Sequence, residues 1–339
     1  MSWRTKNNRQ IATWLFIVCA MIFCMVVVGG VTRLTESGLS MVHWHPLSGI
    51  IPPLTDAAWA KEFAAYQQYP EYQKVNQGMS LGEFKSIFFW EYSHRLLGRL
   101  IGLAFFVPFV FFLLKQKVSS SLKPKLWALF FLGGAQGLLG WWMVKSGMVD
   151  RPDVSHYRLT AHLGLAVFIY ICMFWVASSL VTERRVRHRR RPAIGLKFLI
   201  VMIFVQILLG GLVAGLNAGR IYNTWPLMDG AFIPSGLYSM TPWFINMGEN
   251  IMTVQFDHRM LAYAIVMLGL YLWFRMRRDK RIVIRLSGHL LMLAILAQVT
   301  LGIMTLIHAV PIPLAAAHQA GALITLTTAL YALRRIRNL

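Results

Sequence analysis

Eight apolar stretches run through the chain, at 11–31, 88–114, 126–144, 159–181, 194–216, 251–274, 282–307 and 314–333. Crossing a hydrocarbon core of about 30 Å takes about 20 helical residues, so each stretch is long enough to span a bilayer. A backbone inside lipid has no water to bond to and must satisfy its own polar groups as a helix. The pattern predicts an all-α polytopic membrane protein. Cys19, Cys24 and Cys172 lie inside apolar runs, which excludes a disulfide framework or a cysteine-rich metal site. The first stretch is too long, and lacks a small-residue cleavage site, for a removed signal peptide, so it reads as a retained helix.

A net charge of +21, from 34 Lys and Arg against 13 Asp and Glu, first suggests a nucleic-acid binder. The placement of the charge excludes that. The amino end, the segments 115–125, 182–197 and 275–285, and the carboxyl end hold 23 of the 34, and the alternate segments hold seven. Positive residues stay on the cytoplasmic side, so both termini are expected there. The run 183–191 reads as a stop-transfer and lipid-headgroup segment rather than a nucleic-acid patch. Two long outer segments, 32–87 and 217–250, hold Trp44, Pro46, Pro52, Pro53, Trp59, Trp225, Pro226, Pro234 and Trp243, and are expected to form short interfacial helices.

The chain repeats itself. Gly29-Gly30 matches Gly210-Gly211, His94-Arg95 matches His258-Arg259, Gln136 with Gly140 matches Gln298 with Gly302, and Ala161-His162 matches Ala317-His318. The offset shrinks from 181 residues at the first pair to 156 at the last, as expected when loops and not helices differ in length. An even number of helices per unit makes the repeats parallel about an axis along the membrane normal. Two pseudo-symmetric four-helix bundles follow, expected at 1–187 and 188–339.

Of ten histidines, four recur in register: His94, His162, His258 and His318. All open helices that run inward from the outer face, two per half, at similar depth. Two imidazoles facing each other across a bundle suit bis-histidine ligation of a haem iron. Small residues stand four positions on, at Gly98, Ala166, Ala262 and Ala322, on the same helix face, leaving room for a flat macrocycle. Small residues also serve ordinary close packing of membrane helices. His156 and His308 are fallback ligands. His188 and His289 lie toward the cytoplasm, and His43 with His45 forms a weak H-x-H metal pair. Arg95, Arg99 and Arg259 are costly in a membrane helix unless paired or snorkelling. Arg95 and Arg259 are candidate partners for haem propionates, and Arg33 reads as interfacial. Gln136, Gln206 and Gln298 read as polar packing contacts between helices.

The halves differ at one informative place. Glu91 stands three residues before His94, where the other half has Gln255 before His258. A carboxylate at this depth is a functional candidate, able to move a proton or to stabilise a developing cation. A wet interfacial residue is the plainer alternative. The amino-terminal half therefore reads as the chemical one and the other as the holder of a redox cofactor.

Taken together, the stretch from Gly29 to Ser40 (GGVTRLTESGLS), Glu91-Tyr92-Ser93-His94-Arg95, Gly133-Gly134-Ala135-Gln136-Gly137, Ala161-His162, Asp257-His258-Arg259 and Ala317-His318-Gln319 resemble the haem A synthases of bacteria and mitochondria over essentially the whole chain. The resemblance implies oxidation of the C8 methyl of haem O to a formyl group by successive hydroxylation, giving haem A for terminal oxidases. It implies a haem b cofactor on His258 and His318. It also implies a substrate haem O site on His94 and His162, with Glu91 as the essential acid. Haem O synthase and oxidase assembly factors are the partners it implies; a homo-oligomer stays open. Some bacterial members have cysteine pairs in the outer loops and this chain has none there, so it is similar to the proteobacterial and mitochondrial type. With no transit sequence, the bacterial inner membrane is expected. The residues alone also accommodate a dihaem b-type electron-transfer protein, such as a quinol-linked cytochrome. A transporter built on the parallel repeat is less well supported, since no broken-helix signature is present.

Overall fold

The computed structural model describes residues 3–42, 48–147, 153–181 and 190–338. Eleven α-helices occur among them: α1 (Trp3–Leu34), α2 (Asp56–Tyr66), α3 (Pro70–Lys74), α4 (Leu81–Leu114), α5 (Lys123–Val144), α6 (His156–Val181), α7 (Arg190–Gly215), α8 (Asn246–Glu249), α9 (Ile251–Met276), α10 (Ile282–Ile307) and α11 (Ile312–Asn338). Extended pairing among the described residues is limited to an isolated bridge between Met228 and Ala231.

Seven helices, α1, α4, α5, α6, α7, α9 and α10, are long and apolar enough to cross a membrane. The eighth expected span is present as α11, whose 27 residues give ample length. His318, Gln319, Thr325, Thr327 and Thr328 dilute its hydropathy, and these polar groups are what weaken its apolar signal. The second span begins at Leu81, about two turns earlier than its apolar run suggests. A capping box explains the difference: Glu83 N–H donates to Ser80 Oγ at 3.3 Å and Ser80 N–H to Glu83 Oε2 at 2.8 Å, satisfying donors that would otherwise be orphaned. Leu103, Phe131, Phe198 and Leu293 point outward and exposed, the inverse of a water-soluble protein and as lipid requires.

In each half the long helices close a ring by contact, α1–α4–α5–α6 and α7–α9–α10–α11, in the same cyclic order. The halves meet along α6 with α7 and along α1 with α11, which are equivalent pairs under the repeat. Tyr170 and Thr327 share a 2.7 Å hydrogen bond across this junction, and Arg33 reaches Asp153 at 3.2 Å and the Gly215 carbonyl at 3.4 Å. The expected boundary at 187/188 lies outside the described residues.

One seam is not the same in both rings. Between α9 and α10, Ile295 is buried with its Cδ1 only 2.6 Å from where a Cβ on Gly269 would stand. The repeat aligns Ile295 with Gly133 on α5. A Cβ at Gly133, Gly134 or Gly137 would meet no heavy atom within 4 Å, and α4 touches α5 over a much shorter stretch than α9 touches α10.

Both outer segments fold into short helices, as their aromatics and prolines suggest. In the first, α2, α3 and the start of α4 enclose Tyr66, Phe84 and Phe88, with Trp59 at 5.0 Å from the Phe88 ring and Phe63 at 5.0 Å from Phe84. Glu71 is buried beneath this cluster and accepts a bond from the Tyr66 hydroxyl at 3.0 Å. Burial pushes its carboxyl up to about 8, against the opposing effect of that bond. In the second, 3-10 turns at Ala218–Arg220 and Trp243–Ile245 lead into α8, and buried Asn246 bonds the Met240 N–H and the carbonyls of Met240 and Trp243.

Candidate functional site

Each of the four recurrent histidines has its ring against a glycine of the preceding long helix. An ideal Cβ on Gly29 of α1 would lie 2.7 Å from His94 Cε1, and one on Gly140 of α5 would lie 2.9 Å from His162 Cε1. The matching distances are 3.4 Å for Gly210 of α7 and His258, and 2.7 Å for Gly302 of α10 and His318. Any side chain at three of these glycines would intrude on the imidazole, so glycine is what lets the ring lie flat on the neighbouring helix.

The rings pair within each half. His94 and His162 lie within charge–charge reach of each other, as do His258 and His318. The Nδ1 atoms of His94, His258 and His318 are buried without a hydrogen-bond partner among the described residues. Leaving such a group unsatisfied costs roughly 1–3 kcal/mol, so three in register mark an arrangement shaped for something other than its own stability. With Gly98, Ala166, Ala262 and Ala322 a turn inward, the residues fit a planar macrocycle whose iron takes one imidazole from each of two helices.

Behind three of the rings stands a glutamine. Gln136 Nε2 donates to the His162 carbonyl at 3.1 Å, Gln206 Nε2 to the His258 carbonyl at 2.9 Å, and Gln298 Nε2 to the His318 carbonyl at 2.9 Å. Each glutamine is four residues before the glycine that houses the same histidine, hence on the same helix face one turn away. The Q-x-x-x-G spacing is visible in the sequence, but only the packing shows which residue each member touches. The equivalent position behind His94 is Met25.

Glu91 is buried, and its carboxylate is surrounded by donors. Oε2 accepts from Ser40 Oγ at 2.8 Å and from the Met41 N–H at 2.7 Å, while Oε1 pairs with Arg95 Nη2 at 2.6 Å. Arg95 Nη2 also donates to the Met41 carbonyl at 3.1 Å. The knot ties the turn of residues 35–41 to the helix that carries His94. Gln255 and Arg259 make the neutral counterpart. Gln255 Nε2 donates to the Ala218 carbonyl at 3.0 Å, and Arg259 binds the carbonyls of Tyr222 and Thr224 at 2.8 and 2.9 Å and Gln255 Oε1 at 3.1 Å. Both candidate propionate arginines therefore hold outer-segment carbonyls, and Arg259 Nε has no partner among the described residues.

The remaining candidates lie elsewhere. Buried His156 stacks on Tyr157 and approaches Glu249 at 3.6 Å, exposed His308 bonds the Met304 carbonyl at 2.9 Å, and His289 accepts from Trp273 at 3.0 Å. His43, His45 and His188 lie outside the described residues. Among the described residues no group of three or more His, Cys, Asp or Glu could hold a metal ion.

Comparison with known proteins agrees with this geometry. A family profile described as Cytochrome oxidase assembly protein (COX15-CtaA) matches residues 12–330. A protein named Heme A synthase from Nitrosospira multiformis is 52% identical over 341 residues, covering 98% of this chain and 94% of the relative. Proteins of the same name from Parvibaculum lavamentivorans and Nitrosomonas eutropha are 51% and 50% identical, each covering at least 97% of this chain and 95% of the relative.

Proposed function

The chain belongs to the COX15-CtaA family of cytochrome oxidase assembly proteins, and on that premise we propose that it is a haem A synthase, an oxidoreductase that converts haem O to haem A. The observation that carries the reading into the structure is the glycine-seated histidine, repeated four times, twice in each half. The dihaem electron-carrier alternative draws no support from relatives that all carry the synthase name.

In this reading His258 and His318 hold a haem b, and His94 and His162 hold the substrate haem O. A haem b held there would supply one-electron redox chemistry. The chain supplies the rest. Its histidines fix the two macrocycles between parallel helices, and its apolar walls exclude water from them. Ion-paired Glu91, one turn from His94, presents negative charge where positive charge develops, and Gln255 marks the half that lacks that function. Arg95 and Arg259 brace the outer segments over the two sites, and Arg259 Nε is the donor left over for a propionate. The concentration of Lys and Arg at both termini and in the alternate segments supports cytoplasmic termini, and the likeness to bacterial haem A synthases supports a bacterial inner membrane, where haem O synthase would deliver the substrate and oxidase assembly factors would take the product.

Haem extraction tests the assignment. Membranes in which this chain is the sole source of the activity should yield haem A, and the purified protein should hold protohaem together with haem O or its oxidised product, identified by pyridine haemochrome spectra and mass spectrometry. Two permanent protohaems and no other pigment would establish the electron carrier instead.

A further inference from the structure

We propose that the space between α4 and α5, inward of His94 and His162, receives the isoprenoid tail of haem O, and that Gly102, Gly133 and Gly137 are the residues that keep it open. The inference rests on the reading of His94 and His162 as the substrate pair. Haem O is a protohaem in which one small substituent is replaced by a long apolar prenyl chain. Two homologous bundles that hold the two haems must therefore differ in the room they leave beside the macrocycle.

The difference lies on the helices that carry His94 and Gly140. Gly98 and Gly102 follow His94 at steps of four, and Gly137 and Gly133 precede Gly140 by three and seven, so each pair lies inward on the same helix face. A Cβ at Gly102, Gly133 or Gly137 would meet no heavy atom of a described residue within 4 Å, and at Gly98 the nearest is the flexible end of Met25 at 3.4 Å. The repeat puts Val266, Ile295 and Val299 at the places of those three glycines in the other half. Ile295 is buried there, packed on Gly269. No described residue of the amino-terminal half takes its place. Phe105, which stands where α9 has Gly269, turns instead to Trp14 of α1, with ring centroids 5.1 Å apart.

The space has a floor and a direction. Toward the cytoplasm α4 and α5 close on each other through Phe106 with Phe130 at 5.7 Å and Phe109 with Trp127 at 5.0 Å. From Gly133, one turn outward of Phe130, to Gly140 is about 10 Å of helix. A haem carries its propionates on one edge, and haem O carries its prenyl chain on the opposite edge. Charged propionates stay at the outer, wet end of the bundle, so the chain is directed inward, toward the glycines. Small residues in membrane helices ordinarily let another backbone approach closely, and at these three none does. His94 Nδ1, at the outer end of the space, is buried without a partner among the described residues. The side chains missing from one half thus match the extra chain of the substrate, and those present in the other fit it to plain protohaem.

The experiment uses holoprotein purified from cells that make no haem O, so that it holds protohaem and no prenylated haem. Haem O and further protohaem are titrated in separately and followed at the low-spin absorbance bands, with resident protohaem and melting temperature as checks on the fold. Gly133→Ile, Gly137→Val and Gly102→Val each copy the residue of the other half. Each should weaken haem O binding on the order of 10- to 100-fold, the penalty of overpacking an occupied site, and leave added protohaem, resident protohaem and the melt as in wild type. Gly133→Ala, whose methyl meets no other side chain, reads the same effect at smaller size should Gly133→Ile not fold. Wild-type haem O affinity in these variants, or equal weakening of haem O and protohaem, would overturn the proposal while leaving ligation by His94 and His162 standing. Wild-type protein that takes up no haem O would overturn the substrate pair itself.

Discussion

Arg95 reaches back one helical turn to Glu91 at 2.6 Å, and in the other half Arg259 reaches Gln255 at 3.1 Å. The two pairs occupy equivalent places and do the same mechanical work, tying an outer segment to the helix that carries His94 or His258. Because the neutral pair succeeds in one half, the charge in the other is not needed for the tie.

Glu91→Gln should therefore fold. Its amide can still accept from Arg95, but it cannot accept from all three donors now around the carboxylate, and a loss of about 1–3 kcal/mol is expected. Haem O should accumulate at the expense of haem A while the protohaem spectrum persists, read by extraction and difference spectroscopy. Normal haem A production by this variant would remove Glu91 from the chemistry.

The glycine seats order themselves by distance. Replacing a helical glycine by alanine gains up to about 1 kcal/mol in propensity, whereas overpacking costs about 1–3 kcal/mol. At Gly210 the new methyl would meet His258 at 3.4 Å, an ordinary contact, so Gly210→Ala should keep its haem and its stability. At Gly29 and Gly302 the contact would be 2.7 Å, so alanine should displace the ring and lower the haem-to-protein ratio, measured by pyridine haemochrome.

Glu71 makes the outer cap pH-dependent. Its folded value of about 8 lies above the usual 4.5, so the folded state holds the proton more tightly than the unfolded one. Its contribution is complete below about 4.5 and is lost as pH rises through about 8. Hydrogen exchange in residues 56–76 should quicken across that window, after correction for intrinsic exchange. Glu71→Gln should flatten the profile.

Tyr170→Phe tests the junction between the halves without touching a ligand. Thr327 keeps its bond to the Leu323 carbonyl at 2.6 Å, so the loss should be about 0.5–1.5 kcal/mol in unfolding, with haem content unchanged. A thermal melt followed at the haem band and in the far ultraviolet separates the two effects.

The helices, their order and the four histidines could be read from the residues, because lipid forces long apolar runs into helices and a repeat shows which polar residues stand in register. The start of α4 could not be read from hydropathy, since Ser80 and Glu83 extend it through polar sequence. The apolar signal of α11 was weakened by its own ligand face. The glutamines were visible as a repeated pattern but not as partners of the histidines, because their bonds run to helices 20 to 52 residues away in the chain. Glu91 and Arg95 stood out as ionisable groups in an apolar run, yet their ties to Ser40 and Met41 depend on a turn that no periodicity encodes.

Ile295 against Gly269, and Gly133 where the other bundle would need the isoleucine, give two copies of one scaffold different seams. Prising α9 from α10 has to withdraw a buried side chain from its socket and forfeit about 0.1–0.2 kcal/mol for every atom pair parted. Between α4 and α5 the buried knob is aromatic instead, Phe109 lying on Trp127 at 5.0 Å and Phe106 on Phe130 at 5.7 Å. One seam closes on a side chain in a glycine socket, and the other rests on aromatic rings beside Gly133, Gly134 and Gly137, which no described residue covers.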